Sequence, residues 1–198
     1  MVVVKRLTFQ RQWAVGRTLN LGCGDDPADF GSSAIHVDLD RWRHPNFIQA
    51  DCRWLPFANR SFRTAVLGDI LEHCTDYNAV IDESVRVADR LVITVPEEHR
   101  LPSAGQHIDL GVHLKAEEYR KEYGFVSDDD YEILNMNNLR DERFLHQYSE
   151  HEIPHQAHIN RFDESGIDAM VDRTGMRVLC YLLANGEPLK TWCLCLEH

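Results

Sequence analysis

Thr18-Leu19-Asn20-Leu21-Gly22-Cys23-Gly24-Asp25-Asp26-Pro27, followed by Ile35-His36-Val37-Asp38, is the stretch whose reading decides the fold. It reads as an apolar strand, a glycine turn and a second apolar strand that ends in a carboxylate. In a parallel sheet, that order suits a nucleotide-like ligand at the carboxyl ends of two neighbouring strands. Glycine is wanted at the turn because a Cβ would hold a ligand off the backbone and would penalise positive φ. Asp38 is wanted at the strand end because the vicinal hydroxyls of a ribose are donors that one fixed carboxylate can bridge. A Gly-x-Gly turn alone serves several ligands, so the rest of the chain must choose among them.

Further apolar runs bounded by breakers predict strands at Phe47–Ala50, Thr64–Leu67 and Arg90–Val95, after Thr18–Leu21 and Ala34–Asp38. Asn78–Val87 carries Val80, Ile81, Val85 and Val87 as a helical stripe, and Leu55–Phe62 reads as a loop anchored by apolar side chains. Asp25–Ser33 holds Pro27 and Gly31 and is too broken for a full helix. Residues 1–17 are expected to form a lead-in segment or helix against the core. The alternation implies right-handed βαβ crossovers and a parallel sheet buried on both faces. At the end, Glu164–Arg173 is a helix capped by Asp163 or Ser165 and stopped by Gly175. Met176–Ala184 and Lys190–Glu197 then form a hairpin through Asn185-Gly186-Glu187-Pro188. The fold class is therefore α/β, a doubly wound, Rossmann-like, mostly parallel sheet with an antiparallel C-terminal hairpin. Residues 1–198 are expected to be one domain, with the polar stretch 97–160 inserted as a substrate-side lid.

A formal net charge of −11 and scattered Lys and Arg argue against a nucleic-acid partner, which needs clustered basic residues. The six cysteines (Cys23, Cys52, Cys74, Cys180, Cys193 and Cys195) form no Cys-x-x-Cys and read as reduced, mostly buried thiols. No signal-type apolar core and no run of membrane-spanning length is present. The expectation is a cytoplasmic protein with a small-molecule partner and no membrane; the sequence leaves the oligomeric state open.

Beyond the opening stretch, the chain carries Gln49-Ala50-Asp51, Leu55-Pro56-Phe57 with Ser61-Phe62, Asp69-Ile70-Leu71-Glu72-His73 and Leu91-Val92-Ile93-Thr94-Val95-Pro96. In this order the pieces resemble the class I S-adenosylmethionine-dependent methyltransferases, particularly small ones with a shortened first helix. The resemblance covers roughly residues 18–96 and 160–198 and leaves the insertion uncovered. It implies S-adenosyl-L-methionine as cofactor, bound by the turn Leu21, Gly22, Cys23 and Gly24, with Asp38 on the ribose and Leu39 on the adenine. It further implies that Asp51 accepts from the adenine amino group, the Cys52 amide donates to the ring, and Asp69 lines the methionine amine and sulfonium. An acidic pocket favours that cationic sulfonium over the neutral product S-adenosyl-L-homocysteine. Two departures stand out: Val87-Ala88-Asp89-Arg90 replaces the family's Pro-Gly-Gly before strand five, and Asn20 stands where many members carry Asp.

The implied activity is methyl transfer to a small-molecule acceptor, most narrowly O-methylation of a metabolite or glycan precursor. A nicotinamide-dependent oxidoreductase is the alternative, but its third glycine is Pro27 here and its usual Tyr-x-x-x-Lys is absent. A binding module without turnover is the other alternative. Glu72-His73 is a candidate catalytic pair or a packed structural one, while Asp51 and Asp69 compete with plain capping roles. His107, His113 and His158 are candidate general bases for a hydroxyl acceptor. The spacings His107/Asp109/His113 and His151/His155/His158 invite a metal reading, but Pro154 breaks the second and scattered histidines produce such spacings by chance. No metal is expected.

Overall fold

The computed structural model describes residues 6–24, 28–74, 76–97, 160, 162–184 and 191–198. In chain order these form α1 (Arg6–Trp13), β1 (Thr18–Leu21), β2 (Ile35–Asp38), β3 (Phe47–Gln49), β4 (Phe62–Gly68), a 3-10 turn (Leu71–His73) and α2 (Tyr77–Val87). They continue with β5 (Ala88–Pro96), α3 (Glu164–Thr174), β6 (Arg177–Ala184) and β7 (Thr191–Glu197). One seven-stranded sheet results, in the order β3-β2-β1-β4-β5-β7-β6, with β7 antiparallel to both neighbours. The α/β reading with a C-terminal hairpin holds.

Why these strands pair centrally is visible in their side chains. Ala65, Val66 and Leu67 of β4 and Leu91, Val92 and Ile93 of β5 are all fully buried, as a strand covered on both faces requires. Alternation then deals them to two cores. Ala65, Leu67, Leu91, Ile93, Leu194 and Leu196 face α2 and α3, joined by Ile81, Phe162 and Ile167. Val66, Val92, Cys193 and Cys195 face α1, whose Phe9 fills that side. Thus the paired cysteines of β7 are small apolar core residues, and burial pushes the Cys193 thiol up to about 12.

Two expectations need correction. The sheet is not buried on both faces throughout: in β2 only Val37 is buried, and in β3 Phe47 and Ile48 are half-buried while Gln49 is exposed. The reason is that the β1–β2, β2–β3 and β3–β4 connections contain no helix among the described residues, so only β4–β5 crosses through one. Val87–Arg90, which stands in place of the family's Pro-Gly-Gly before strand five, also makes no turn, because α2 ends at Val87 and β5 starts at Ala88. Arg86 holds this abrupt junction by donating to the carbonyls of Phe57 (2.7 Å) and Leu55 (3.0 Å), while Glu83 accepts from the Leu55 amide (2.8 Å). Those bonds also fix the apolar loop, whose Phe57 meets Phe62 edge to face.

The C-terminal helix starts and stops as its sequence predicts. Asp163, rather than Ser165, is the cap, accepting from the Gly166 amide at 2.9 Å, and Gly175 ends the helix at φ 60°. No helix among the described residues is long and apolar enough to cross a membrane.

Candidate functional site

The site is built where β1, β2 and β4 end. Gly22 and Gly24 take φ of 65° and 62°, the left-handed region that glycine enters without a Cβ penalty. The turn is tied to β2 by the Gly22 and Cys23 amides, which donate to the Val37 carbonyl at 2.9 and 3.2 Å. The two glycines serve different ends. A Cβ on Gly22 would lie 2.6–2.9 Å from three atoms of Ile70, whereas one on Gly24 would meet nothing within 4 Å among the described residues. Gly22 is a packing requirement, and Gly24, at the turn's edge, faces space that no described residue fills.

Asp38 is held by both oxygens. Its Oδ2 accepts from the Gly24 amide at 2.8 Å and its Oδ1 from the Asp40 amide at 3.0 Å. Each oxygen keeps acceptor capacity, so the carboxylate is oriented without being consumed. Burial, then the charge of Asp38, pushes the neighbouring Cys23 thiol up to about 12. Cys74 is also pushed up to about 12 and Cys52 well above its ordinary range, chiefly by burial. Burial thus favours the protonated thiol at all three positions.

Beneath the turn lies a pair of histidines, His36 and His44, that no local pattern singles out. His44 Nε2 lies 2.9 Å from the Gly24 carbonyl, which can only accept, so that nitrogen carries the proton. His36 Nδ1 takes a 3.3 Å bond from the Asn20 amide, and the two imidazoles meet edge to face. Asn20 therefore faces across to β2 and His36. Burial, then the nearby His44, lowers the His36 pKa. The unfolded chain then binds more protons than the folded one below about pH 6.5. Stability consequently falls as pH drops below that point, by at most about 1.4 kcal/mol per pH unit for one such proton. Urea unfolding of wild type and His36→Gln at pH 7.5, 6.5 and 5.5 checks this. The wild type should lose stability faster on acidification, and parallel curves would exclude the assignment.

The other predicted residues have more varied surroundings. Leu39 is 52 % exposed beside Asp38, an apolar side chain open to a planar ligand. Asp51 is engaged by Arg53, whose amide donates to Oδ1 (2.8 Å) and whose guanidinium donates to Oδ2 (2.8 and 3.0 Å). That pairing holds its carboxyl below the usual range against the opposing effect of burial. Asp69 caps no helix: it sits at φ 52° after β4, takes the Thr94 hydroxyl on Oδ1 (3.1 Å), and is ion-paired with Arg6 of α1.

Glu72 is buried within the 3-10 turn, and its Oε1 lies 4.0 Å from His73 Nε2, beyond direct hydrogen bonding. Asn160 holds this turn, donating from its side chain to the carbonyls of Leu71 (2.8 Å) and Cys74 (2.6 Å) and from its amide to Glu72 (3.0 Å). Sequence reading missed Asn160, Arg6, Arg53 and His44, since each acts through a contact distant or unpatterned in sequence. His107, His113 and His158, with His151 and His155, lie outside the described residues. Among the described residues no group of three or more His, Cys, Asp or Glu could hold a metal ion.

Neither a protein-family model nor a curated protein sequence matches the chain. Solved structures do. The 1,6-didemethyltoxoflavin-N1-methyltransferase of Burkholderia thailandensis, bound to its substrate and S-adenosylhomocysteine, superposes at a TM-score of 0.54 and 13 % identity, over 96 % of this chain and 77 % of that one. An S-adenosylmethionine-dependent methyltransferase of Methanosarcina mazei gives 0.51 and 11 %, over 99 % and 98 %. The [4+2]-cyclase SpnF gives 0.55 and 11 %, over 91 % and 73 %, so the architecture also carries other chemistry. At these identities it is architecture that is shared: the chain has the fold of the class I S-adenosylmethionine-dependent methyltransferases.

Proposed function

We propose that the chain binds S-adenosyl-L-methionine at the β1–β2–β4 ends and transfers its methyl group to a small-molecule acceptor. The observation that carries this reading is the Gly24 turn bonded to Asp38: open space at the glycine, and beside it a carboxylate oriented by two backbone amides. Such a cradle fits an adenosyl group, with ribose hydroxyls donating to Asp38 and Leu39 packing on the base. A dinucleotide fits less well. Its pyrophosphate needs a helix N-terminus after the glycine turn, and the described residues between that turn and β2 contain no helix. The toxoflavin methyltransferase of the same fold binds S-adenosylhomocysteine, which supports the choice.

The cofactor supplies an electrophilic methyl on a sulfonium. The chain's own groups orient and screen the reaction. Gly22, Cys23 and Gly24 present backbone to the methionyl end, and Asp69 places negative charge beyond β4. Asp51 accepts from the adenine amino group by exchanging its Arg53 partner, and the Cys52 amide donates to the ring. Most of the acceleration comes from holding donor and acceptor in line at near-attack distance. A hydroxyl acceptor, on a metabolite or glycan precursor, also needs a base for its proton. In this reading His73 or one of His107, His113 and His158 supplies it.

Thermal unfolding tests the proposal. S-Adenosylhomocysteine at about 100 times its Kd adds about 2.7 kcal/mol, which raises the midpoint of a domain this size by about 5–10 °C. NAD at the same concentration should leave the midpoint unchanged. Stabilisation by NAD and not by S-adenosylhomocysteine would sink the reading.

A further inference from the structure

Gly24 is bonded on both of its sides. Its amide donates to Asp38 Oδ2 at 2.8 Å, and its carbonyl accepts from His44 Nε2 at 2.9 Å. The first bond orients the carboxylate that the adenosyl reading gives to the ribose. The second reaches the turn from the connection between β2 and β3, 20 residues further along the chain. A glycine in this place needs such ties. Gly24 stands at φ 62°, and glycine has more backbone freedom to lose than any other residue. With its amide bond alone it would keep one anchor and turn about it, and Asp38 would lose a fixed donor.

His44, by contrast, is rigidly mounted. Its ring meets those of His36 in β2 and Phe47 in β3 edge to face, at centroid distances of 6.4 and 6.2 Å. Pro45 follows it and biases its backbone towards extended conformations. Asn46, at a φ of 56° that asparagine tolerates, then clamps the connection. Its side-chain amide donates to the Ser32 and Ala34 carbonyls at 2.9 and 3.1 Å, and its own carbonyl accepts from the His36 amide at 3.1 Å. The imidazole is therefore held by β2, β3 and the end of the β1–β2 connection, independently of the turn it bonds. Order passes from His44 to Gly24, and from Gly24 to Asp38.

We infer that His44 is a positioning residue of the adenosyl site: by holding the Gly24 carbonyl it fixes the glycine turn, so that the Gly24 amide keeps Asp38 aimed at the ligand. This rests on the adenosyl reading above and extends the site to the β2–β3 connection. His44 touches no ligand atom in this role and acts through two residues. Its contribution is preorganisation: the turn and the carboxylate are ordered when the chain folds, and binding does not bear that cost. Without the donor, ordering Gly24 falls to the binding step, and affinity drops although every group that meets the ligand is still present.

Calorimetric titration with S-adenosylhomocysteine over a double-mutant cycle tests this. His44→Phe keeps an aromatic ring against His36 and Phe47 but removes the donor. It should weaken binding about 5–10-fold, the loss that one neutral hydrogen bond supports. His44→Gln, whose side-chain amide again offers an N–H, should recover part of that loss. In an Asp38→Ala background His44→Phe should cost less than about 2-fold, because its effect travels through that carboxylate. Hydrogen exchange of the ligand-free protein gives a second readout: the Gly24 amide should exchange about 5–10-fold faster in His44→Phe than in wild type. The same loss with and without Asp38, or no loss in either background, overturns the inference and leaves the adenosyl site standing. Unchanged Gly24 exchange in His44→Phe overturns it whether or not the ligand binds. Wild type that binds no S-adenosylhomocysteine overturns the adenosyl reading, and the role of His44 in it.

Discussion

Asp38→Ala is expected to weaken S-adenosylhomocysteine binding by about 100-fold or more, equivalent to about 2.7 kcal/mol. The carboxylate would receive two ribose hydroxyls, and hydrogen bonds to a charged acceptor contribute about 1.5–3 kcal/mol each. Its removal also frees the Gly24 amide, which now donates to Oδ2 at 2.8 Å, so the turn loses one of its ties to β2 and keeps those of Gly22 and Cys23. Asp40→Ala is the matched control. Asp40 contributes only its backbone amide to Asp38, which alanine retains, so affinity should stay within about 3-fold. Calorimetry on the three proteins decides the matter: a loss of less than about 3-fold in Asp38→Ala would remove the ribose from this carboxylate.

Gly22→Ala should destabilise the fold by about 2–5 kcal/mol, the sum of about 1–2 for a left-handed non-glycine residue and about 1–3 for overpacking. The overpacking arises because the new methyl would come within 2.6–2.9 Å of the Ile70 side chain. Ile70→Ala in the same chain removes two of the three atoms it meets, so the double variant should cost less than the two single costs added together. Gly24→Ala makes the contrast. It meets no atom of the described residues within 4 Å and bears only the conformational cost, about 1–2 kcal/mol, yet it projects into the space assigned to the ligand. Urea unfolding should therefore rank Gly22→Ala as the more damaging to stability, and ligand titration should show Gly24→Ala impaired at full folding. Equal stability losses from the two substitutions would contradict the packing role of Gly22.

The strands were legible because their signal is local. β1 occupies the predicted Thr18–Leu21, and β2, β3 and β5 differ from their predicted bounds by one or two residues at either end. An apolar run bounded by glycine, proline or charge records burial on both faces, and burial on both faces is what a central strand requires. The helix over Glu164–Thr174 was legible for the same reason, its cap and stop lying within the segment itself. The junction at Val87–Ala88 was not. It needs no turn residues because Arg86 and Glu83 clamp it to the Leu55–Ser61 loop, and that contact leaves no mark on the local pattern.

Sequence alone determined the sheet class, the glycine turn and the carboxylate that closes β2, because these follow from backbone conformation, burial and residue type within short windows. Only the tertiary structure decided what each carboxylate faces. Asp38 faces two backbone amides, Asp51 its neighbour Arg53, and Asp69 an arginine from α1. Charge partners are chosen by distance in space, and folding brings Arg6 to Asp69 without any periodicity in the chain to announce it. The same holds for Asn160, which meets the 3-10 turn from 86–89 residues further along the chain.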